Sequence, residues 1–225
     1  MHRYSYLDCN WLALKLNDTE VHTRLPLMTG IVYDLGCGTR PYEYDIMQTA
    51  DGYVGVDWSN TLHGLHAEIV ADLNQPLPIE SSVANTVVSF QVLEHLSEPQ
   101  TMVNEAYRIL REGGAIIISV PFQWWVHEAP YDYFRYTRYG LEHMLTKAGF
   151  VDIEVEAVSG FWVMWVLKFN YQTTRYIRGP RPIRMLMRML LTPLWLVGQA
   201  IAPLLDRIDF NDTETAGYYV TARKP

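Results

Sequence analysis

IVYDLGCGTRP, residues 31–41, is the stretch that decides how this chain folds. An apolar run ends on Asp34 and turns through Gly36 and Gly38, so two positions lack a side chain where a ligand can approach bare backbone. A strand that ends this way opens onto a nucleotide-type pocket. Asp57 closes the next apolar run, YVGVD (53–57), 19 residues after Gly38. In doubly wound folds an acidic side chain at about that spacing meets the hydroxyl pair of a ribose.

Further short runs rich in Val and Ile follow: EIVA (68–71), NTVVSF (85–90), AIIISV (115–120), VDIEVEAV (151–158) and GYYVTARK (217–224). Helical stretches lie between them, which predicts an α/β fold with a mostly parallel sheet of seven strands covered on both faces. One helix is expected to follow Ser97, with Ser97 and Gln100 as a capping box, Met102, Val103, Ala106, Ile109 and Leu110 as its apolar stripe, and Gly113 and Gly114 as its stop. Another should run from the cap Thr137 to Ala148, with Leu141, Met144 and Leu145 inward and Gly149 ending it. Helices are also expected over 41–49 and about 7–16.

The chain has 225 residues, 49% of them apolar and 19% charged, which suits one packed domain over 1–225 and excludes wholesale disorder. Its net charge of -7 argues against nucleic acid as a partner. Cys9 and Cys37 cannot build a disulfide framework, and the N-terminus has no uninterrupted apolar stretch, so a cytoplasmic setting is expected.

Two cofactor classes use a glycine turn of this kind. The dinucleotide fingerprint needs a third small residue beside the pyrophosphate, but here the turn reads Gly36-Cys37-Gly38-Thr39-Arg40-Pro41, and Pro41 argues against NAD. S-adenosylmethionine carries no phosphate, and Asp34 suits a cationic ligand better than an anionic one. Cys37 reads as a small loop filler rather than a nucleophile.

DLGCG with Asp34, YVGVDWS with Asp57, ADLNQPLP with Asp72, VVSFQVLEHL with Glu94 and His95, LREGGAIIISVPF and KAGF occur in this order. In these motifs the chain resembles the class I S-adenosylmethionine-dependent methyltransferases, and more narrowly their type 11 branch, over about residues 30–160 and the last strand. The resemblance implies a Rossmann-like sheet with an antiparallel last strand. It also implies that Asp34, Gly36 and Gly38 surround the methionyl end of S-adenosylmethionine and that Asp57 binds the ribose. Trp58 would flank the adenine, Asp72 with Leu73 would meet its amino edge, and Gln91 would line the sulfonium side. Asp72 could instead cap the turn in DLNQP, and Glu94 and His95 could be surface residues. A catalytically silent scaffold would show an eroded loop, whereas Asp34, Gly36, Gly38 and Asp57 are intact.

The family places its acceptor site in the segment PFQWWVHEAPYDYFRYT (121–137), whose flat rings and polar tips suit a sugar or aromatic acceptor. His127 is the candidate general base, and Trp124, Tyr131 and Arg135 are candidate substrate contacts. Arg135 could equally pair with Asp132 or Glu128. No metal ligands are expected. O-methylation of a sugar or lipid-linked glycan in surface-polysaccharide synthesis is implied, with a quinone or other small lipid as the alternative acceptor.

From Phe161 to Leu205 there is no acid but six bases, which leaves the rest of the chain at -13. The stretch belongs to a helical insertion, 161–213, ahead of the last strand. Its run MLLTPLWLVGQAIAPLL (189–205) is interrupted by Pro193, Gln199 and Pro203, so it is expected to stop short of a membrane-spanning helix. An interfacial hairpin on an anionic membrane, on the inner face of the cytoplasmic membrane, is expected. A homodimer arm or a lid is the competing expectation.

Overall fold

A computed structural model describes residues 4–59 and 66–225. The chain packs as two compact units. One comprises His22–Glu156 with Gly217–Pro225; the other comprises the residues up to Val21 with Ala157–Ala216.

The first unit holds a seven-stranded sheet of β1 (Ile31–Leu35), β2 (Gly52–Asp57), β3 (Ile69–Val70), β4 (Ala84–Phe90), β5 (Leu110–Pro121), β6 (Val151–Ala157) and β7 (Gly217–Arg223). Their order is β3-β2-β1-β4-β5-β7-β6. β1 pairs in parallel with β2 and β4, β2 with β3, and β4 with β5, while β7 runs antiparallel to β5. This is the Rossmann-like fold of class I methyltransferases. The chain leaves β1 toward one edge through β2 and β3, then returns past β1 to build β4 and β5. The switch between β1 and β4 opens a crevice at the carboxyl ends of the strands, where doubly wound folds bind ligands. Val32, Leu35, Val56, Val87, Val88 and Ile116–Ile118 are fully buried, as strands covered on both faces require.

All seven predicted strands are present, β3 cut to two residues and β5 extended backward to Leu110. That extension corrects the helix stop: α3 (Pro99–Ile109) ends before Gly113 and Gly114, which lie inside β5. The expected capping box is also absent. Pro99 occupies the first helical position and Glu98 becomes the cap residue, so Ser97 falls outside the helix. Asn74 serves the entry instead, its Oδ1 accepting from Glu98 N at 2.9 Å and Ser97 Oγ at 3.2 Å. α2 shrinks to Glu43–Ile46. α4 (Arg138–Ala148) matches expectation: Thr137 Oγ1 accepts from Gly140 N at 3.2 Å, and Gly149 closes the helix.

The N-terminal helix α1 (Trp11–Arg24), whose residues up to Val21 belong to the second unit, starts later than expected and continues through Asn17, Asp18 and Thr19. α5 (Phe161–Thr174) and α6 (Arg181–Ile208) pack on each other. α6 corrects the expected interruption, since it is one helix of 28 residues that runs through Pro193 and Pro203. A rise of 1.5 Å per residue makes it about 42 Å long, and it is long and apolar enough to cross a membrane by length and composition.

The buried face of α6 is partly polar. Asp206 accepts from Gly160 N at 2.8 Å and Trp162 N at 2.9 Å, capping α5. Gln199 accepts from Leu12 N at 3.0 Å and donates to Asp8 O at 3.2 Å. The opposite face exposes Ile183, Leu186, Leu190, Leu194, Val197, Ile201, Leu204 and Ile208 at spacings of three and four, an unbroken apolar stripe.

Candidate active site

Leu35 ends β1, and the chain turns back over the end of β2 because Gly36 N and Cys37 N both donate to Val56 O, at 2.8 and 3.2 Å. Gly36 sits at φ +85°, and a Cβ there would lie 2.4 Å from Val92 Cγ2. Only glycine fits. At Gly38, φ +51°, no heavy atom of the described residues, its chain neighbours aside, lies within 4 Å of where a Cβ would be, and the residue borders a cavity. The cavity, about 150 Å³, is lined by Gly36, Gly38, Asp57 and Trp58 from the ends of β1 and β2, and by Asp72, Leu73 and Asn74 after β3. Gln91, Val92, His95 and Leu96 close it from β4, with Glu128 and Tyr131 from the loop after β5. A larger groove of about 850 Å³ opens by Thr29, Asn85 and Ala115 at the amino ends of the strands and holds none of the predicted residues.

Seven of the eight predicted donor-binding residues therefore line one cavity. Asp57 is aimed by backbone: its Oδ2 accepts from Gly38 N at 2.8 Å and its Oδ1 from Trp58 N at 2.7 Å. Asp72 both borders the cavity and caps its turn, accepting from Asn74 N at 2.9 Å. Gln91 adopts φ +57°, a left-handed conformation unusual outside glycine, and its Nε2 donates to Ser119 Oγ at 3.1 Å. Asp34, the eighth, lies behind the wall. It is buried, accepts from the Tyr53 hydroxyl at 2.5 Å, and is pushed up to about 7 by that burial. Cys37 is buried and its thiol is pushed up to about 12, again by burial, which suits a filler.

Of the residues predicted for the acceptor side, only Tyr131 lines the cavity, its ring meeting Trp58 edge to face at 5.2 Å. Trp124 stacks on Trp125 at 4.2 Å. Arg135 is the clasp of its own loop: Nη1 and Nη2 donate to Asp132 at 2.5 and 2.7 Å, and Nη2 also to Trp125 O at 2.9 Å. That pairing holds the Asp132 carboxyl down at about 2. His127 is tied to the same clasp, its backbone N donating to Asp132 Oδ2 at 2.9 Å. Its ring meets His95 at 4.8 Å between centroids, and burial lowers its pKa.

Glu94 and His95 are not surface residues entering a helix. They form a 3-10 turn, Leu93–His95, under the loop after β5. Tyr133 N and Phe134 N donate to Glu94 O, at 2.9 and 3.2 Å, and Tyr136 Oη donates to Leu93 O at 2.9 Å. Glu94 is fully buried, and its carboxyl is pushed up to about 8 by that burial. Composition gave no hint of it; the only signal was the motif VLEHL itself.

Residues 33–118 match the methyltransferase domain family of type 11. Over that segment, well under half of its length, the chain is similar to this family. It is 42% identical over 45 residues to a probable S-adenosylmethionine-dependent methyltransferase of Mycolicibacterium smegmatis, covering 20% of this chain and 18% of that one. It is 30% identical over 97 residues to a probable S-adenosylmethionine-dependent methyltransferase of Mycobacterium tuberculosis, covering 40% and 35%. The chain thus aligns with about a third or less of the length of these curated relatives. A solved phosphoethanolamine N-methyltransferase 2 of Haemonchus contortus, bound to S-adenosylhomocysteine, superposes with a TM-score of 0.56 at 19% identity, over 94% of this chain and 53% of that one. That likeness is one of fold. Both curated relatives are named as S-adenosylmethionine-dependent, and the solved N-methyltransferase holds S-adenosylhomocysteine.

Proposed function

We propose that this chain transfers the methyl group of S-adenosylmethionine to a hydroxyl of a sugar or lipid-linked glycan. The observation that carries the reading is a single cavity at the β1/β4 switch, lined by Gly36, Gly38, Asp57, Asp72 and Gln91. The sulfonium is already activated, so holding donor and acceptor in line in a water-poor pocket supplies most of the acceleration. As the acceptor oxygen bonds to the methyl carbon, the carbon–sulfur bond breaks with its electron pair left on sulfur, releasing S-adenosylhomocysteine. The hydroxyl proton leaves to a base. We assign this role to His127, whose Nδ1 lies 3.3 Å from Trp125 O, 3.4 Å from Asp132 Oδ2 and 3.4 Å from Arg135 Nη2; a ring proton on Nδ1, held by the carbonyl and the carboxylate, makes Nε2 the acceptor. General bases contribute roughly 10²- to 10⁴-fold, so His127→Ala should lose at least about a hundredfold in rate, and an intact rate removes it from the role. Calorimetric titration with S-adenosylhomocysteine tests the donor site. Labelled donor incubated with membrane and soluble extracts then shows which fraction holds the acceptor, and label in a quinone or other small lipid would favour that class instead.

The acceptor's class accords with attachment at the inner face of the cytoplasmic membrane. The stripe on α6 is exposed where a water-soluble helix is polar, with Met185 70% and Met189 65% exposed beside it, and Trp165 of α5 is 53% exposed. Arg181, Arg184 and Arg188 stand at the amino end of the same helix in a segment without acids. Apolar side chains at the acyl boundary with arginines at the head groups match an anionic leaflet. The chain should co-sediment with phosphatidylglycerol-containing vesicles and not with phosphatidylcholine vesicles. A soluble dimer indifferent to both would make the hairpin a dimer arm, and integration resistant to carbonate wash would make α6 a spanning helix.

A further inference from the structure

Glu94 breaks the rule that buried polar groups are paired, since among the described residues neither of its carboxylate oxygens has a hydrogen-bond partner. Two imidazoles stand beside it. Glu94, His95 and His127 each offer one ligand atom, and these atoms lie within 4.8 Å of one another. His95 Nε2 is 3.7 Å from Glu94 Oε1 and 3.8 Å from Glu128 Oε2. Meanwhile His95 Nδ1 lies 2.8 Å from Tyr131 O. A carbonyl can only accept, so that contact puts the ring proton on Nδ1 and leaves the Nε2 lone pair facing carboxylates. Lone pairs converging on one point leave room for a cation between them. An imidazole whose far nitrogen donates to a backbone carbonyl is also the arrangement that orients a metal-bound histidine.

We propose that Glu94, His95 and His127 form a binding site for a divalent transition-metal ion of the zinc class. Two imidazole nitrogens and one carboxylate suit such ions, whereas calcium and magnesium take oxygen ligands. Bonds of about 2.0–2.2 Å set neighbouring ligand atoms about 3–4 Å apart, so the cluster closes on an ion by shifts of about an ångström. Three protein ligands with a further position open are the pattern of a catalytic rather than a structural site. His95 and Glu128 border the cavity, so the open position faces the place where an acceptor hydroxyl would enter, and the ion would ease loss of its proton. That last step rests on the methyl-transfer reading, but ion binding does not. His127 cannot offer one lone pair to both the ion and the acceptor proton, so a loaded site moves the base role away from it.

The test is calorimetric titration of the chelator-treated 225-residue chain with zinc chloride, and separately with calcium chloride, in the absence of donor. One zinc per chain is expected, with no calcium uptake. Because even outer-shell partners are worth about 10–100-fold in metal affinity, Glu94→Gln, His95→Gln and His127→Gln should each weaken zinc binding by at least about tenfold. Cobalt chloride should give visible absorption that each substitution changes. No stoichiometric zinc uptake, or uptake that survives all three substitutions on other histidines, overturns the site. Circular dichroism checks each variant; if Glu94→Gln does not fold, the two histidine variants carry the test. A parallel S-adenosylhomocysteine titration separates the readings. Zinc uptake without it removes the donor assignment alone, and its binding without zinc uptake removes the metal site alone.

Discussion

Gly36 shows how one residue carries the site. Its φ of +85° and the 2.4 Å that a Cβ would leave to Val92 Cγ2 forbid any side chain. Gly36→Ala is expected to cost about 1–3 kcal/mol of stability and to abolish measurable S-adenosylhomocysteine binding, as read by thermal melts and calorimetry. Asp34 sets a pH dependence. Its carboxyl is pushed up from 3.8 to about 7 by burial, so the folded chain keeps a proton that the unfolded chain releases. The contribution is therefore whole below about pH 4 and is lost as pH rises toward 7, the reverse of a salt-bridged carboxylate. Urea unfolding should show this part of the stability falling between pH 4 and 7, and Asp34→Asn should flatten the fall. That Gly36, Gly38 and Asp57 share one site was legible in the sequence because strand, turn and acid follow one another along the chain. Glu94 was not, because it is buried by Tyr133, Phe134 and Tyr136, which lie about 40 residues further on and whose closure no local pattern reports.

At the level of elements, strands were read well and helix boundaries less well. A strand between two layers of helix is apolar throughout, so IVYDL and AIIISV announce themselves. Helix ends depend on which group satisfies the first free N–H groups, and at α3 that group is Asn74, far from Ser97 in sequence. At α5 it is Asp206, 46 residues from Gly160, accepting from three backbone N–H groups. Asp206→Ala should destabilise the hairpin by about 2 kcal/mol, the upper range for a helix cap, and raise hydrogen exchange over residues 161–164 before the rest of α5. Asp206→Asn should recover most of it. α6 escaped the sequence reading because Pro193 and Pro203 look like breaks. Each proline removes one hydrogen bond, and the helix runs on regardless.

Over the molecule as a whole, charge is divided rather than mixed. The segment 161–205 carries six bases and no acid, while the remainder is strongly acidic. If α6 seats on an anionic leaflet, vesicle binding should fall as salt rises from about 0.05 to 0.5 M, because screening shortens the reach of the arginines. The triple variant Arg181→Glu, Arg184→Glu, Arg188→Glu should no longer bind, while S-adenosylhomocysteine affinity stays unchanged. Unaltered vesicle binding by that variant would take the arginines out of the mechanism.

The sequence by itself determined the sheet, the glycine turn and the acid at the end of β2, because each is written in a few consecutive residues whose periodicity and spacing hold whatever surrounds them. Tertiary structure alone decided three other features: that Asp34 lies behind the cavity rather than in it, that Glu94 is sealed beside two histidines, and that α6 turns Gln199 and Asp206 inward. Burial and hydrogen-bond partnership depend on segments distant along the chain, and they come into being only when those segments meet.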